Sequence, residues 1–334
     1  MNGIAAPIVA YEPAPTQDFL KPHRKVSVVM VVYMTGEALQ QSIECVLADP
    51  LVDELVIVDN GSTRMEAARL KRLSESDKRV RLITGHGNVG FARGANLGAR
   101  GAAGDTIVFL NPDAFLQPGC IAELVRAIDG RPVPTLVGGR VLNADRTEQR
   151  GARRGDITPV SALMSLSHLS RKIPAWRRYE VHWEAEAAPE AVIAVPTISG
   201  ACFCMRREDF DTVQGFDEGY FLHVEDIDLC WRARRQGGSV LFQPNAHIVH
   251  VGSTSRESPL VIEWHKGRGL VRYFLKRADR KRRKALALAL APLILFTAVA
   301  RPLLRQLRRG RMGRPAERLR PALAERSISG APSA

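Results

Sequence analysis

The chain has 334 residues, an apolar content of 45% and a formal net charge of +13, which allows one large α/β domain with additions or two small domains. The positive excess is local, because residues 1–270 carry 31 Lys and Arg against 32 Asp and Glu, whereas residues 271–320 carry 16 against 2. The near-neutral body argues against a nucleic-acid-binding protein, and the basic tail requires a different anionic partner.

The cysteines and the N-terminus indicate a cellular compartment. Only Cys202 and Cys204 are close in sequence, and their single intervening residue is not the usual spacing of a zinc pair. The five thiols therefore fit reduced, buried side chains. Residues 1–24 contain several prolines and are predicted to form an arm, and they lack the apolar core of a signal peptide. The expected compartment is the reducing cytoplasm.

Short apolar strands alternate with helices in the first half of the chain. Apolar runs predict strands at residues 26–33, 55–58, 80–83 and 106–110, and periodic segments predict helices at 37–48, 64–76, 91–100 and 118–128. This alternation indicates parallel βαβ units. Ligands of such sheets bind beyond the carboxyl ends of the strands, where Asp59 and Asp113 stand.

The second half is less regular. Residues 143–190 are weakly periodic, and we interpret them as a variable excursion over the site that serves an acceptor. Further strands are predicted at 191–195, 201–205, 239–242 and 247–251, with a helix at 225–236 that ends at two glycines. The main domain is expected to span residues 25–255.

Three segments follow the main domain. They are a helical basic extension at 256–284, an apolar helix at 285–300 and a basic flexible tail at 301–334. The apolar run has 16 residues and contains Pro292, which is short of the about 20 residues that a membrane span needs. Beside the basic block at 280–284 it fits an interfacial anchor on anionic lipid. A membrane span and a soluble partner-binding helix are the alternatives.

Three acidic residues, Glu225, Asp226 and Asp228, open the helix predicted at 225–236. Side chains two apart do not share a helix face, so Asp226 and Asp228 are expected to have different roles. The helix dipole favours the charged form of a carboxylate at the N-terminus, which suits a general base. A plain helix cap is the alternative interpretation.

Six segments together resemble glycosyltransferase family 2, whose members are inverting sugar-nucleotide transferases with the GT-A fold. The segments are residues 29–33, 56–62, 87–98, 109–113, 199–203 and 215–232, in the order and spacing of that family. The resemblance covers roughly residues 25–255, and the last segment is most similar to the rhamnosyltransferase-like branch. It implies an α/β, Rossmann-like, mostly parallel sheet flanked by helices, followed here by a membrane-associated helical tail.

The resemblance implies a nucleotide site near the first two strand ends. Asp59, beside Asn60, would accept from the N3–H of uracil or thymine, and Tyr33 would stack on or flank the base. A turn-forming Asp-Asn-Gly is the alternative for Asp59.

A glycine-rich segment leads into the helix at 91–100 and could bring backbone N–H groups near the diphosphate. It would add Asn88, Gly90, Arg93 and Asn96 to the nucleotide-sugar site. The simpler alternative is that its glycines only permit a tight turn and close helix packing.

A metal site is implied at Asn111-Pro112-Asp113, where the family carries an Asp-x-Asp motif and Asn111 replaces the first carboxylate. Asp113, with the aligned His250, would bind Mn²⁺ or Mg²⁺, and the substrate diphosphate would supply other oxygen ligands. Metal binding is therefore expected to depend on the sugar nucleotide. A buried structural histidine is the alternative for His250.

The resulting hypothesis is an inverting glycosyltransferase at the inner face of the cell membrane. Asp226 would deprotonate the acceptor hydroxyl, and Glu225 would position the acceptor. The expected donor is dTDP-L-rhamnose, with a UDP-hexose or UDP-N-acetylhexosamine as alternative, and the expected acceptor is a lipid-linked or cell-envelope glycan.

Two hypotheses from other classes compete with it. A dinucleotide-dependent oxidoreductase would need a glycine fingerprint after Tyr33, which the sequence lacks. A non-catalytic, membrane-bound nucleotide-sugar-binding module would not need Asp59, Asp113 and the Glu225-Asp226 pair.

Overall fold

The computed structural model describes residues 24–167, 169–252 and 257–311. The predicted arm at 1–24 lies outside the described residues except for its last residue. Of the predicted tail at 301–334, residues 312–334 also lie outside them.

The N-terminal half builds a parallel sheet covered by helices. Strands β1 (Val26–Val32), β2 (Glu54–Asp59), β3 (Val80–Ile83) and β4 (Thr106–Leu110) lie in the order β3-β2-β1-β4. Helices α1 (Glu37–Ala48), α2 (Arg64–Ser76) and α3 (Phe91–Gly101) connect them. All residues of β1 and β4 are buried, as continuous apolar runs predict for strands covered on both faces. The predicted elements of this half are confirmed.

Beyond β4 the sheet becomes mixed. Two strands that sequence analysis did not predict, β5 (Ala114–Leu116) and β6 (Thr135–Leu142), flank helix α4 (Cys120–Ile128). Strand β6 was missed because Gly138 and Gly139 interrupt its apolar run. The strands predicted at 239–242 and 247–251 are one strand, β11 (Ser239–His250), which is irregular between Gln243 and His247.

The pairing of these strands sets the sheet order. Strand β10 (Cys202–Arg206) runs antiparallel to β4 and β6, and β11 runs parallel to β6. At the edge, β5 and the short β8 (Ile193–Ala194) pair antiparallel with β11. The sheet predicted to be mostly parallel is thus parallel in one half and mixed in the other.

The excursion at 143–190 contains regular structure. Strand β7 (Arg153–Arg154) pairs with β9 (Thr197–Ile198) in a small second sheet. Helices α5 (Pro159–Leu166) and α6 (Leu169–Lys172) and a 3₁₀ helix (Pro174–Tyr179) follow β7. Helix α7 (Arg207–Thr212) comes directly after β10.

Three helices complete the described chain: α8 (Glu225–Arg235), α9 (Pro259–Arg277) and α10 (Lys281–Arg311). The apolar helix predicted at 285–300 is the middle of α10, which continues through its two prolines. Helix α10 packs on α9 and α5 and buries Ala287, Ile294 and Ala298. Its segment Lys281–Leu304, with 24 residues, is long and apolar enough to cross a membrane.

Ion pairs hold α9 against the main domain. Lys276 Nζ lies 2.9 Å from Asp228 Oδ1 and 2.7 Å from Asp217 Oδ2. Asp228 is fully buried and also pairs with Arg232, four residues along α8, at 2.7 Å. A buried carboxylate needs such partners, so docking of α9 and satisfaction of Asp228 depend on each other.

Candidate active site

A cleft of about 290 Å³ lies at the carboxyl ends of β1, β2 and β4. Seven of the residues predicted for the donor and metal sites line it, and they are Tyr33, Asn60, Asn88, Gly90, Asn111, Asp113 and His250. They come from five separate parts of the chain. The topology brings them together because neighbouring parallel strands end at the same edge of the sheet.

His250, at the end of β11, lies beside the turn that follows β4. Its Nε2 is 3.1 Å from Asp113 Oδ1 and 3.3 Å from Asn111 Nδ2. Asp113 is 6% exposed. The two residues predicted to bind metal are thus in direct contact.

Gln149 fixes the tautomer of His250. Its amide nitrogen donates to the backbone carbonyl of His250 at 3.1 Å, and a carbonyl can only accept. Gln149 Oε1 therefore faces Nδ1, at 2.7 Å, and accepts the Nδ1 proton. In the neutral form of the ring, this position of the proton leaves the Nε2 lone pair available to a cation beside Asp113. Sequence analysis missed Gln149 because no motif marks it within the weakly periodic excursion.

Asp113 and His250 fit a divalent cation. The Asp113 carboxylate and His250 Nε2 lie at close range, and the outer hydrogen bond from His250 Nδ1 is typical of a metal-binding imidazole. Among the residues that the structure describes, no three His, Cys, Asp or Glu side chains converge on one metal position. Protein ligands alone are therefore few, as the replacement of a carboxylate by Asn111 predicts.

The residues predicted to bind the nucleotide also hold the shape of the cleft. The Tyr33 hydroxyl donates to Glu257 Oε1 at 2.7 Å, and this hydrogen bond raises the pKa of Tyr33. Asn60 donates to the carbonyl of Gly90 at 2.9 Å. Asp59 Oδ1 accepts the N–H of Gly61 at 3.0 Å, which is its turn-forming role. Recognition of a base by Asp59 stays a prediction.

The glycine-rich segment before α3 has a structural role. Two of its N–H groups are used within the protein: Gly90 donates to Asn88 Oδ1 at 3.1 Å, and Phe91 donates to the Phe221 carbonyl at 2.7 Å. A Cβ at Gly98 would lie 2.4 Å from Val29 Cγ1. The segment thus permits a tight turn and close packing of α3 on the sheet, and its contact with a diphosphate stays a prediction.

Arg93 and Asn96 also need a correction, because neither lines the cleft. Arg93 Nε pairs with Glu218 Oε2 at 2.9 Å. Asn96 is buried and donates to the backbone carbonyl of Phe216 at 2.9 Å. Both side chains lie on α3 and bind the segment that precedes α8, so they position that segment.

Asp226 lies in a second cavity, of about 250 Å³, next to the cleft. His223 lines both cavities. Asp226 Oδ2 accepts from Arg154 at 2.6 Å and from the N–H of Gly200 at 3.1 Å. The next residue, Ala201, accepts the N–H of Asn111 at 2.9 Å. One backbone segment thus joins Asp226 to the metal-side residues, and Asp113 and Asp226 lie on the same side of the molecule.

Glu225 needs a correction as well. It is 7% exposed and lines neither cavity. Burial, and next the charge of Asp226, raise the pKa of Glu225 to about 8, so this carboxyl is mostly neutral at pH 7. Its burial outside both cavities gives no support to the predicted positioning of an acceptor.

A model of the family described as glycosyl transferase family 2 matches residues 27–214. The chain belongs to this family.

Two bacterial relatives of this glycosyltransferase are rhamnosyltransferases. The N-acetylglucosaminyl-diphospho-decaprenol L-rhamnosyltransferase of Mycobacterium tuberculosis is 29% identical over 247 residues, which are 69% of this chain and 78% of the relative. Rhamnosyltransferase WbbL of Escherichia coli is 24% identical over 254 residues, which are 72% of this chain and 89% of the relative.

Solved structures show the same GT-A fold. The mannosyltransferase PcManGT from Pyrobaculum calidifontis, in complex with GDP-Man and Mn²⁺, is similar with a TM-score of 0.55 at 17% identity, over 91% of this chain and 79% of that one. GalNAc-T7 with UDP, GalNAc and Mn²⁺ is similar with a TM-score of 0.54 at 18% identity, over 76% of this chain and 48% of that one.

Proposed function

We propose that this glycosyltransferase moves L-rhamnose from dTDP-L-rhamnose to a hydroxyl group of a lipid-linked glycan, with inversion at the anomeric carbon. The observation that carries the proposal is the junction at His223. At His223, the cleft that contains Asp113 and His250 adjoins the cavity that contains Asp226. Donor and acceptor could then meet between a cation site and a base. The names of the two bacterial relatives support rhamnose as the sugar.

The residues would divide the chemistry between the two cavities. The cleft would bind the nucleoside diphosphate, with Tyr33 at the base and with Asp113 and His250 holding Mn²⁺ or Mg²⁺. When bound, this cation would neutralise negative charge on the departing diphosphate. Asp226 would take the proton of the acceptor hydroxyl, and Arg154 and the Gly200 N–H would fix the orientation of its carboxylate.

We also propose that α10 lies in the interface of an anionic membrane. Its buried positions, Ala287, Ile294 and Ala298, face the protein, whereas Leu293 is 45% and Phe296 70% exposed. The basic residues at 281–284 precede this apolar face. Exposed apolar side chains beside basic ones are typical of interfacial helices on anionic lipid.

Donor binding is tested by the thermal stability of the full chain with dTDP-L-rhamnose, UDP-N-acetylglucosamine or GDP-mannose, with and without Mn²⁺. A ligand of the native state raises the melting temperature, and we expect the largest rise with dTDP-L-rhamnose plus Mn²⁺. A larger rise with UDP-N-acetylglucosamine would favour the alternative donor and contradict rhamnose.

The catalytic role is tested with Asp226→Asn and the control Asp211→Asn, an exposed carboxylate on α7. We expect Asp226→Asn to keep the ligand-induced rise in melting temperature but to lower the transfer rate roughly 10²- to 10⁴-fold, because it removes the general base. The control should keep both. Wild-type protein that binds the donor and neither transfers nor hydrolyses it would indicate a non-catalytic binding module.

A further inference from the structure

Three cavities follow one another across the surface of this protein. The donor cleft shares His223 with the cavity of Asp226, and this second cavity shares Ile157 with a third one of about 270 Å³. The third cavity ends at Leu286 and Ala287 of α10. The three cavities are therefore neighbours, and as a row they extend from the donor cleft, past the candidate base, to the helix that we place at the membrane.

The second cavity is cationic. Arg150, Arg154 and Lys266 line it, and Asp226 is the only acidic lining residue in the part of the chain that the structure describes. His182 also lines it, and burial together with the charge of Arg150 lowers the pKa of His182 to about 4. Arg150 is partly compensated by Glu180, at 3.3 Å. The buried Nε of Arg154 has no hydrogen-bond acceptor among the described residues. Such a set of donors suits phosphate oxygens.

The third cavity is largely apolar. Ile157, Pro159, Phe274, Leu286 and Ala287 line it, and two arginines stand at its border, Arg277 and Arg283. It lies between α5, α9 and the start of α10. Its apolar lining suits a hydrocarbon chain, and its end at α10 gives such a chain a route toward the lipid phase.

We propose that these cavities are the acceptor track for a glycan linked through a diphosphate to a polyisoprenoid chain. The acceptor sugar lies at Asp226, the diphosphate binds Arg150, Arg154 and Lys266, and the first isoprene units bind between Ile157 and Leu286. Asp226 and the cationic side chains share the second cavity and the apolar cavity adjoins it, which matches a sugar diphosphate followed by a lipid. The assignment rests on the proposed function and adds to it the residues that recognise the acceptor.

The diphosphate site is tested by calorimetric binding of farnesyl diphosphate, which has the chain and the diphosphate but no sugar. Divalent metal is removed with EDTA, so that the donor cleft does not capture the diphosphate through a cation. We expect Lys266→Gln to weaken binding about tenfold and Lys266→Arg to restore it to within about threefold. Arg268→Gln, on the exposed face of α9 two residues away, is the matched control and should bind like wild type.

The apolar site is tested with Leu286→Ser against Leu288→Ser. Both leucines are exposed on α10, at 48% and 54%, but only Leu286 lines the third cavity. We expect Leu286→Ser to weaken farnesyl diphosphate about fivefold by loss of apolar contact and to leave butyl diphosphate unchanged. Leu288→Ser should change neither. Equal losses in both leucine variants, or for both ligands, would refute this part of the track.

Transfer kinetics separate a wrong track from a wrong function. N-acetylglucosamine is offered as a farnesyl diphosphate conjugate and as a neutral octyl glycoside, with dTDP-L-rhamnose as donor. We expect Lys266→Gln to raise KM about tenfold for the conjugate only, with unchanged KM for the donor. If wild type transfers sugar to both acceptors, and Lys266→Gln and Arg268→Gln change KM for the conjugate equally, the acceptor track is wrong and the proposed function stands. Tight binding of farnesyl diphosphate without transfer to either acceptor would overturn the function and leave the site.

Discussion

The imidazole of His250 depends on an amide that no sequence motif marks. Gln149 both donates to the His250 carbonyl and accepts from Nδ1, so it fixes the ring with Nε2 directed at Asp113. Outer-sphere partners of this kind typically change metal affinity 10- to 100-fold when they are removed. We therefore regard Gln149 as a positioning residue for the metal site.

Replacement of Gln149 by Leu should weaken Mn²⁺ binding in the presence of dTDP about tenfold or more, because the His250 ring loses its preferred tautomer. Electron paramagnetic resonance of free Mn²⁺ measures the affinity without turnover. Gln117→Leu is the control, since Gln117 binds Arg146 and the Phe115 carbonyl and not His250. Unchanged Mn²⁺ affinity in a folded Gln149→Leu protein would contradict the tautomer argument.

Glu225 should make stability depend on pH. Its folded-state pKa is raised to about 8, above the ordinary value, so between these two pKa values the native state binds more protons than the unfolded state. Stability then falls as pH rises through this window. Glu225→Gln has no titrating carboxyl at this position. We expect its free energy of unfolding, relative to that of wild type, to rise by on the order of 2 kcal/mol between pH 5 and pH 8. Urea unfolding at both pH values measures this difference, and parallel curves for the two proteins would show that Glu225 is not responsible.

At the scale of elements, α3 approaches the sheet closely because it carries glycine at position 98. A Cβ there would lie 2.4 Å from Val29 Cγ1 and 3.0 Å from Val58 Cγ2, and both valines lie on paired strands in the middle of the sheet, which cannot move apart easily. We expect Gly98→Ala to lower the free energy of unfolding by about 1–3 kcal/mol through overpacking. At Gly101 the nearest atom is the terminal methyl of Ile83, at 2.9 Å, so Gly101→Ala should cost less. Denaturant midpoints compare the two variants, and a larger loss at Gly101 would contradict this account.

The sequence predicted the first half of the fold because each of its elements has one clear pattern. Buried parallel strands are continuous apolar runs, and the polar residues that follow them meet at one edge of the sheet, as Tyr33, Asn111 and Asp113 do. The second half could not be predicted in the same way. Gly138 and Gly139 break the pattern of β6, and an irregular stretch splits that of β11.

The same limit applies to the site. Gln149, Arg154 and Lys266 owe their positions to tertiary packing of the excursion and of α9, which no local pattern encodes. Arg93, Asn96 and Glu225 were assigned to ligands because they lie inside motifs, but hydrogen bonds or burial inside the protein occupy their side chains. Proximity to a motif in sequence therefore did not determine which side chains face the cleft.

For the whole molecule, the proposed membrane attachment would depend on the uneven charge and on the packing of α10. Deletion of α10 would test attachment poorly, because it would also uncover the face of α9 against which Ala287, Ile294 and Ala298 pack. Substitution of outward residues is sharper, since it leaves this packing in place. Attachment through α10 would also bring the enzyme close to an acceptor held in the same membrane.

The double variant Leu293→Ser and Phe296→Ser should reduce co-sedimentation with anionic vesicles about tenfold or more, because it removes exposed apolar surface. Met65→Ser, an exposed apolar residue on α2, is the control. Raised salt should weaken binding of wild type, since part of the attraction is electrostatic. Vesicle binding that survives the double variant would place the membrane contact elsewhere.

The backbone is in an unfavourable conformation at His223, where the cleft and the second cavity adjoin. His223 and Val224 both have positive φ, at 67° and 76°, and this conformation is costly for a β-branched residue. A side chain at Gly269 of α9 would begin only 3.0 Å from Val224 Cγ2, so α9 packs closely against the strained bend and leaves no room for a side chain at position 269. Displacement of α9 would relax this bend. Because His223 lines both cavities, the cleft and the second cavity would then change shape together.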